Sequence, residues 1–164
     1  MDSNEEEQLM ASVQTSNNDV EDAVRSPTEL LLRADPGLFS PAMIYCQISK
    51  GLALQDVQAM LSMAVPGSAF KILSCILGRP TRTVRRNSKH LTHLSARESA
   101  VAFQFAKALE LALVVFGSQQ LVEEWLCRPC LFLDGGVPME MLHSPLGYQL
   151  IQTYLQRIEY GIYQ

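Results

Sequence analysis

The chain has 164 residues, 48% of them apolar and 18% charged, with a formal net charge of −4. That balance is ordinary for a soluble globular protein with a real core, in one domain or two small ones. The total conceals an asymmetry: residues 1–25 hold seven acids and one base, the remainder 10 acids and 12 bases, so a mildly acidic sum does not exclude a nucleic-acid face.

Residues 1–26 are rich in Glu, Asn, Ser and Gln without a sustained apolar period, and read as a disordered acidic tail. The plain interpretation is a solubilising segment. The sharper one is a segment that mimics nucleic acid and competes for a basic face. No basic stretch leads into an apolar one here, so no secretory signal is expected, and the four cysteines are expected as reduced thiols in a cytosol.

The next residues are punctuated by Ser, Pro and Gly. Ser26 and Pro27 open a short helix over 27–32, Asp35-Pro36-Gly37 makes a turn, and Ser40 with Pro41 opens a helix to about Lys50. Leu54, Val57, Met60 and Leu61 give helical spacing over 54–64, before Pro66-Gly67 breaks the chain. Residues 68–77 form a compact apolar helix. After Gly78, residues 80–90 form another, with Pro80 near its first position.

Two short helices about a glycine turn are the helix-turn-helix pattern. On the second, Thr81, Arg82, Arg85, Arg86 and Lys89 share one face, while Val84 and Leu91 face the core. From Arg79 to Arg97 there are six basic side chains, with His90 and His93 beside them, and no acid. Arginine and lysine bind phosphate, and arginine also reads guanine edges. The plain alternative is a solvated basic helix.

Residues 95–117 are predicted as one long helix. Ser95 and Glu98 form a capping box at its start, and Gly117 ends it. Fifteen of the 21 residues between Ser95 and Gly117 are apolar, so the helix should be buried on most sides and join two halves. It reads as too short and too charged to span a membrane.

A helix over 118–126 follows, with Leu121, Val122, Trp125 and Leu126 as its core face. Then comes Cys127-Arg128-Pro129-Cys130, whose C-x-x-C spacing lacks the strand and helix context of a redox motif. With no second ligand pair, a zinc site is not expected. Cys46 and Cys75 read as small core residues, and His143 as a surface or turn histidine. Residues 133–142 are a glycine turn and a short helix opened by Pro138. The last helix, 144–159, has Leu146, Leu150, Ile151, Tyr154, Leu155 and Ile158 as its buried stripe, and Gly161 ends it. Ile162 and Tyr163 either pack on their own domain or enter a partner's pocket.

From about Ser40 onward the chain resembles the bacterial antitoxins of the Xre/MbcA/ParS type, partners of toxins with a RES domain. Several stretches carry the resemblance. Leu77-Gly78 with Arg82-Thr83-Val84 and Arg85-Arg86 is similar to that family's helix-turn-helix. Leu94-Ser95, Glu98 and Val115-Phe116-Gly117 match its linking helix. Trp125-Leu126, Leu133-Asp134-Gly135, Pro138, Leu142 and Gly147 match its later turns and helices. Leu155 and Arg157-Ile158-Glu159-Tyr160-Gly161-Ile162-Tyr163 match its end. Pro80 stands where the family often has a small capping residue, and Cys127 and Cys130 stand where no cysteine is expected.

The resemblance implies an all-α, non-enzymatic cytoplasmic protein without cofactor or metal. An Xre-like helix-turn-helix domain over 27–94 would bind promoter DNA through Arg79, Thr81, Arg82, Arg85, Arg86 and Lys89. A linking and dimerisation helix would span 95–117. A toxin-binding domain over 118–164 would block a RES-type, NAD-consuming toxin through Arg157, Glu159, Tyr160, Tyr163 and the carboxylate of Gln164. The partners implied are therefore the toxin, operator DNA and a second copy of the chain, with no membrane. The competing expectations are a stand-alone transcription regulator and a redox or metal sensor built on Cys127 and Cys130.

Overall fold

The structure is a computed structural model that describes residues 25–87 and 91–161. Nine α-helices make up the fold among these residues: α1 (Pro27–Leu32), α2 (Pro41–Lys50), α3 (Leu54–Ala64), α4 (Ala69–Leu77), α5 (Thr81–Asn87), α6 (Ala96–Phe116), α7 (Gln119–Cys127), α8 (Pro138–Met141) and α9 (Pro145–Glu159). Two 3-10 turns lie at Pro36–Leu38 and Leu131–Leu133, and two isolated bridges are the only extended pairings described.

The helix starts are set by short polar side chains. Ser26, Ser40, Ser95, Ser118 and Ser144 each accept a hydrogen bond from a first-turn amide. At Ser26 and Ser95 the third residue, Glu29 or Glu98, reaches back to complete a capping box. Proline opens α1, α2, α8 and α9, where a missing N–H costs nothing. Pro80 instead occupies the cap, since its carbonyl accepts the first bond of α5 from the Val84 amide. Gly117, at φ 72°, ends α6 in the left-handed conformation.

α6 is the axis of the fold. It packs against α1, α2, α3 and α4 from the N-terminal half, and against α7 and α9 from the C-terminal half. Ala102, Ala106, Ala108 and Ala112 let these neighbours approach closely, and Phe105 and Leu109 fill the space between them; all six are buried. Of residues 98–116 only Val114 is exposed, so the helix is covered on nearly every side. The expectation that α6 is too short and too charged for a membrane does not hold. By length and composition it could cross one, because over residues 99–116 only Lys107 and Glu110 are charged. What distinguishes it from a lipid-facing helix is the protein packed around it.

Four assignments of side chains to the core are overturned. Leu146 and Leu150 of α9 are 67% and 48% exposed. The ridge that meets α6 is Gly147, Ile151 and Leu155, one turn apart, and Leu150 and Leu146 lie about 100° and 140° around the helix from Ile151. Gly147 is required there, because a Cβ would collide with the Met141 carbonyl oxygen. Leu121 of α7 is half exposed, while Val122 and Leu126 take the core positions. Cys46 is exposed because α2 lies across the surface of α6 without burying any of its own residues.

The two halves also touch away from α6. The corner between α3 and α4 docks on α7: the Gly67 backbone amide donates to Glu123 at 2.7 Å, and the Gln119 side-chain Nε2 donates to the Met63 carbonyl at 2.5 Å. Nearby, the Ser68 hydroxyl lies 3.6 Å from the Cys127 sulfur, and α4 packs on α8. On another side Glu110 of α6 holds α1, accepting from the fully buried Thr28 hydroxyl and from Lys107, each at 2.8 Å. Burial would raise the Glu110 carboxyl, but bonds from Lys107, Thr28 and Ser26 outweigh it and hold the pKa below its ordinary value.

Candidate nucleic-acid and protein-binding surfaces

The basic surface is built on a rigid turn. α4 ends at Gly78 in the left-handed conformation, φ 58°, and the Arg79 amide returns to the Ser74 carbonyl at 3.1 Å. α5 then leaves the turn and packs on α4, with Val84 buried at 3% exposure. The chain after α5 is clamped to the start of α3: the Leu94 amide donates to Leu52 and the Leu54 amide to Thr92, at 2.8 and 2.9 Å. In turn the Leu52 amide donates to the buried Ser99 hydroxyl at 2.9 Å. Leu91 packs at the edge of the core.

This frame turns the arginines outward. Arg82, Arg85 and Arg86 are exposed and Thr81 is half-buried; Lys89 and His90 lie outside the described residues. Two of the cations are engaged within the chain. Arg79 lies 3.8 Å from Glu98, and the Arg85 guanidinium sits over the Phe70 ring at 5.0 Å, which fixes α5 against α4. No described acid forms an ion pair with Arg82 or Arg86.

A different surface lies at the other end of the molecule. The loop from Cys130 to Gly136 is closed by its own backbone. The Cys130 amide donates to Gly136, the amides of Leu133 and Gly135 return to the Cys130 carbonyl, all at 3.0 Å, and Asp134 and Gly135 take positive φ. Leu133 anchors the loop in the core, so Leu131 and Phe132 are forced outward, 91% and 72% exposed. Phe132 stacks on Tyr154 of α9 at 5.8 Å, Tyr154 on Trp125 at 6.4 Å, and Trp125 meets Phe116 at 5.4 Å. This aromatic column carries the exposed loop on the core. Burial, a hydrogen bond with Cys130 and the Cys130 charge push the Tyr154 phenol up to about 12. Leu146 and Leu150 continue the apolar surface along α9 on the Tyr154 side. Together these side chains form an exposed apolar patch of the kind that marks a protein interface.

Arg157 lies about 20° from the Leu150 direction, beside this patch, whereas Glu159 is roughly 160° away from Arg157 around the helix. Tyr160 caps α9 and is 72% exposed. The expected toxin-facing set is therefore split: Arg157 joins the apolar patch and Glu159 does not. Tyr163 and Gln164 lie outside the described residues, as does Ile162. Leu131 and Phe132 escape a reading of the sequence because an apolar run after a cysteine looks like core. The available signal is the Asp134-Gly135-Gly136 turn behind them, which leaves room to bury only one of three consecutive side chains.

All four cysteines are free thiols, and burial pushes the Cys75 thiol up. Cys127 ends α7 and Cys130 is buried in the loop, so the pair lacks the strand and helix of a redox motif. Among the described residues no three His, Cys, Asp or Glu side chains gather as metal ligands.

An all-helical chain with a rigid apolar patch on its C-terminal part has the surface of a protein-binding module. Residues 111–161 match the family model of the antitoxin Xre/MbcA/ParS C-terminal toxin-binding domain, the same family that the sequence resembles. The match supports an antitoxin role, with a toxin as partner and a regulatory rather than catalytic task. No curated protein matches the chain.

Proposed function

We propose that the protein is the antitoxin of a type II toxin–antitoxin pair. It covers a RES-type, NAD-consuming toxin with its C-terminal part and represses its own operon through α5. The observation that carries this reading is the coincidence of the toxin-binding match over residues 111–161 with the apolar patch of Leu131, Phe132, Leu146 and Leu150. Arg157 flanks that patch. It and the residues from Tyr160 onward enter the toxin's nucleotide pocket, where the guanidinium pairs with acidic or phosphate groups. Glu159 points elsewhere and contributes least.

On the other half, Arg82 and Arg86 are the principal phosphate contacts, Lys89, outside the described residues, adds a further cation, and Arg79, Thr81 and Arg85 position the helix on the duplex. Two half-sites call for a homodimer. Since α6 has only Val114 exposed in its central and final turns, the exposed face of α2 that carries Ala42, Tyr45 and Cys46 offers the dimer surface. The setting is a bacterial cytoplasm.

Co-expression tests the reading. The neighbouring open reading frame is induced beside the whole chain, the chain cut after Glu159, or the double variant Leu131→Ser with Phe132→Ser. Toxicity rescued by the whole chain and by neither variant is the expected result. Rescue by the shortened chain alone would leave the patch as the inhibitor and remove the plug. A harmless neighbour would overturn the antitoxin reading.

A further inference from the structure

We propose that the acidic segment of residues 1–24 docks on the basic face of α5 and competes with nucleic acid for it, a proposal that rests on α5 being the nucleic-acid face. Three observations carry it. The segment holds seven acids, in two clusters at residues 2–7 and 19–22, and no Lys or Arg. The face it meets is uncompensated: Arg82 and Arg86 are exposed with no described acid forming an ion pair with them, and Glu98, the first acid after α5, is already committed to the Ser95 cap and Arg79. Length is no obstacle, because 24 residues can extend about 80 Å, against a folded body on the order of 40 Å across.

The mechanism is intramolecular competition. A tethered partner acts at an effective concentration in the millimolar range, so even a weak docking reduces the fraction of free basic face. Clustered carboxylates resemble backbone phosphates to an exposed guanidinium, and both contacts weaken as salt rises. The segment therefore raises the threshold for DNA binding most at low salt, and in a way that discriminates against non-specific duplexes, which have no base contacts to offset it.

The test uses the full chain and a full-length variant with Asp2, Glu5, Glu6, Glu7, Asp19, Glu21 and Asp22 changed to the corresponding amides. Two readouts are taken: the dissociation constant for the DNA upstream of the operon, and backbone amide spectra of the protein alone. The expected result is binding about five- to tenfold tighter for the amide variant at ~50 mM salt, converging with the parent above ~300 mM. Outside the substituted segment, shifts in the spectra should be confined to residues 79–87. Equal affinities with spectra unchanged outside residues 1–24 would overturn the proposal. So would tighter binding without shifts on α5, because that is long-range repulsion rather than docking. Shifts on α5 with no DNA binding by either protein would leave the docking standing and remove the nucleic-acid reading instead.

Discussion

The two exposed surfaces of this molecule, at α5 and at the loop carrying Leu131 and Phe132, are built on opposite principles. α5 is short, anchored by Val84 and by Arg85 on the Phe70 ring, and leaves Arg82 and Arg86 exposed. Its charges act at a distance and lose little when their partner is imperfectly placed. The loop is cross-braced by backbone hydrogen bonds and an aromatic column, and it presents side chains that have nothing favourable to do in water. Such a patch gains only from close contact, and close contact demands rigidity. On the proposed reading, the difference teaches that a rigid apolar surface suits a shaped partner and an exposed charged one a repetitive polymer.

The strongest way to break the contrast is to disturb the axis that both surfaces share. Phe105→Ala, at a fully buried site on α6, should cost about 3–5 kcal/mol and abolish both proposed activities together. Thermal or denaturant unfolding reads this directly, and a loss below 1 kcal/mol would mean that the halves do not depend on α6.

A sharper test separates the surfaces. Leu131→Ser with Phe132→Ser should lower toxin affinity about 100-fold, close to 2.7 kcal/mol, while stability changes by less than ~1 kcal/mol and DNA binding stays put. If these residues were core instead, unfolding would show several kcal/mol and no selective effect on the toxin. Arg82→Ala is the counterpart on α5. It should weaken DNA binding by about 1–2 kcal/mol and reduce the salt slope by ~1, with toxin binding unchanged.

The smallest expected effect concerns how α1 is held. Glu110→Gln keeps an acceptor for Thr28 and removes the charge that Lys107 meets, so at neutral pH it should cost about 1 kcal/mol. Because the folded pKa of Glu110 is lowered, its stabilisation is complete above the ordinary value of 4.5 and is lost as pH falls through the lower folded value. The gap between parent and variant should therefore close on acidification. A gap that widened below pH 4.5 would contradict the network.

Much of this arrangement was legible in the residues. The serine caps, the prolines in first turns and the box of Ser95 with Glu98 place six of the nine described helices, because capping chemistry is local and needs no knowledge of what packs where. Of the six cations from Arg79 to Arg97, Arg82, Arg85 and Arg86 stand exposed on α5, while Arg97 belongs to α6 and Lys89 lies outside the described residues. Burial was less legible. Leu146 and Leu150 share helical spacing with Ile151 and Leu155, and periodicity reports that a face is apolar without reporting what covers it. α9 carries two such ridges, one against α6 and one facing outward, and they merge into a single broad stripe in the sequence. Cys46 went astray for the converse reason: a helix whose pattern suits a core, α2, lies flat on the outside.

The segment that matches the toxin-binding domain begins at Leu111, inside α6 rather than at its start. A gene exchange cut at that point would join two half-helices and strip Phe105 and Leu109 from the partners they pack against. The heritable unit is therefore larger than the binding unit. For the C-terminal half to be traded between lineages as a working piece, it has to travel with the whole of α6, and with an N-terminal corner able to offer Glu123 the backbone amide that Gly67 offers now.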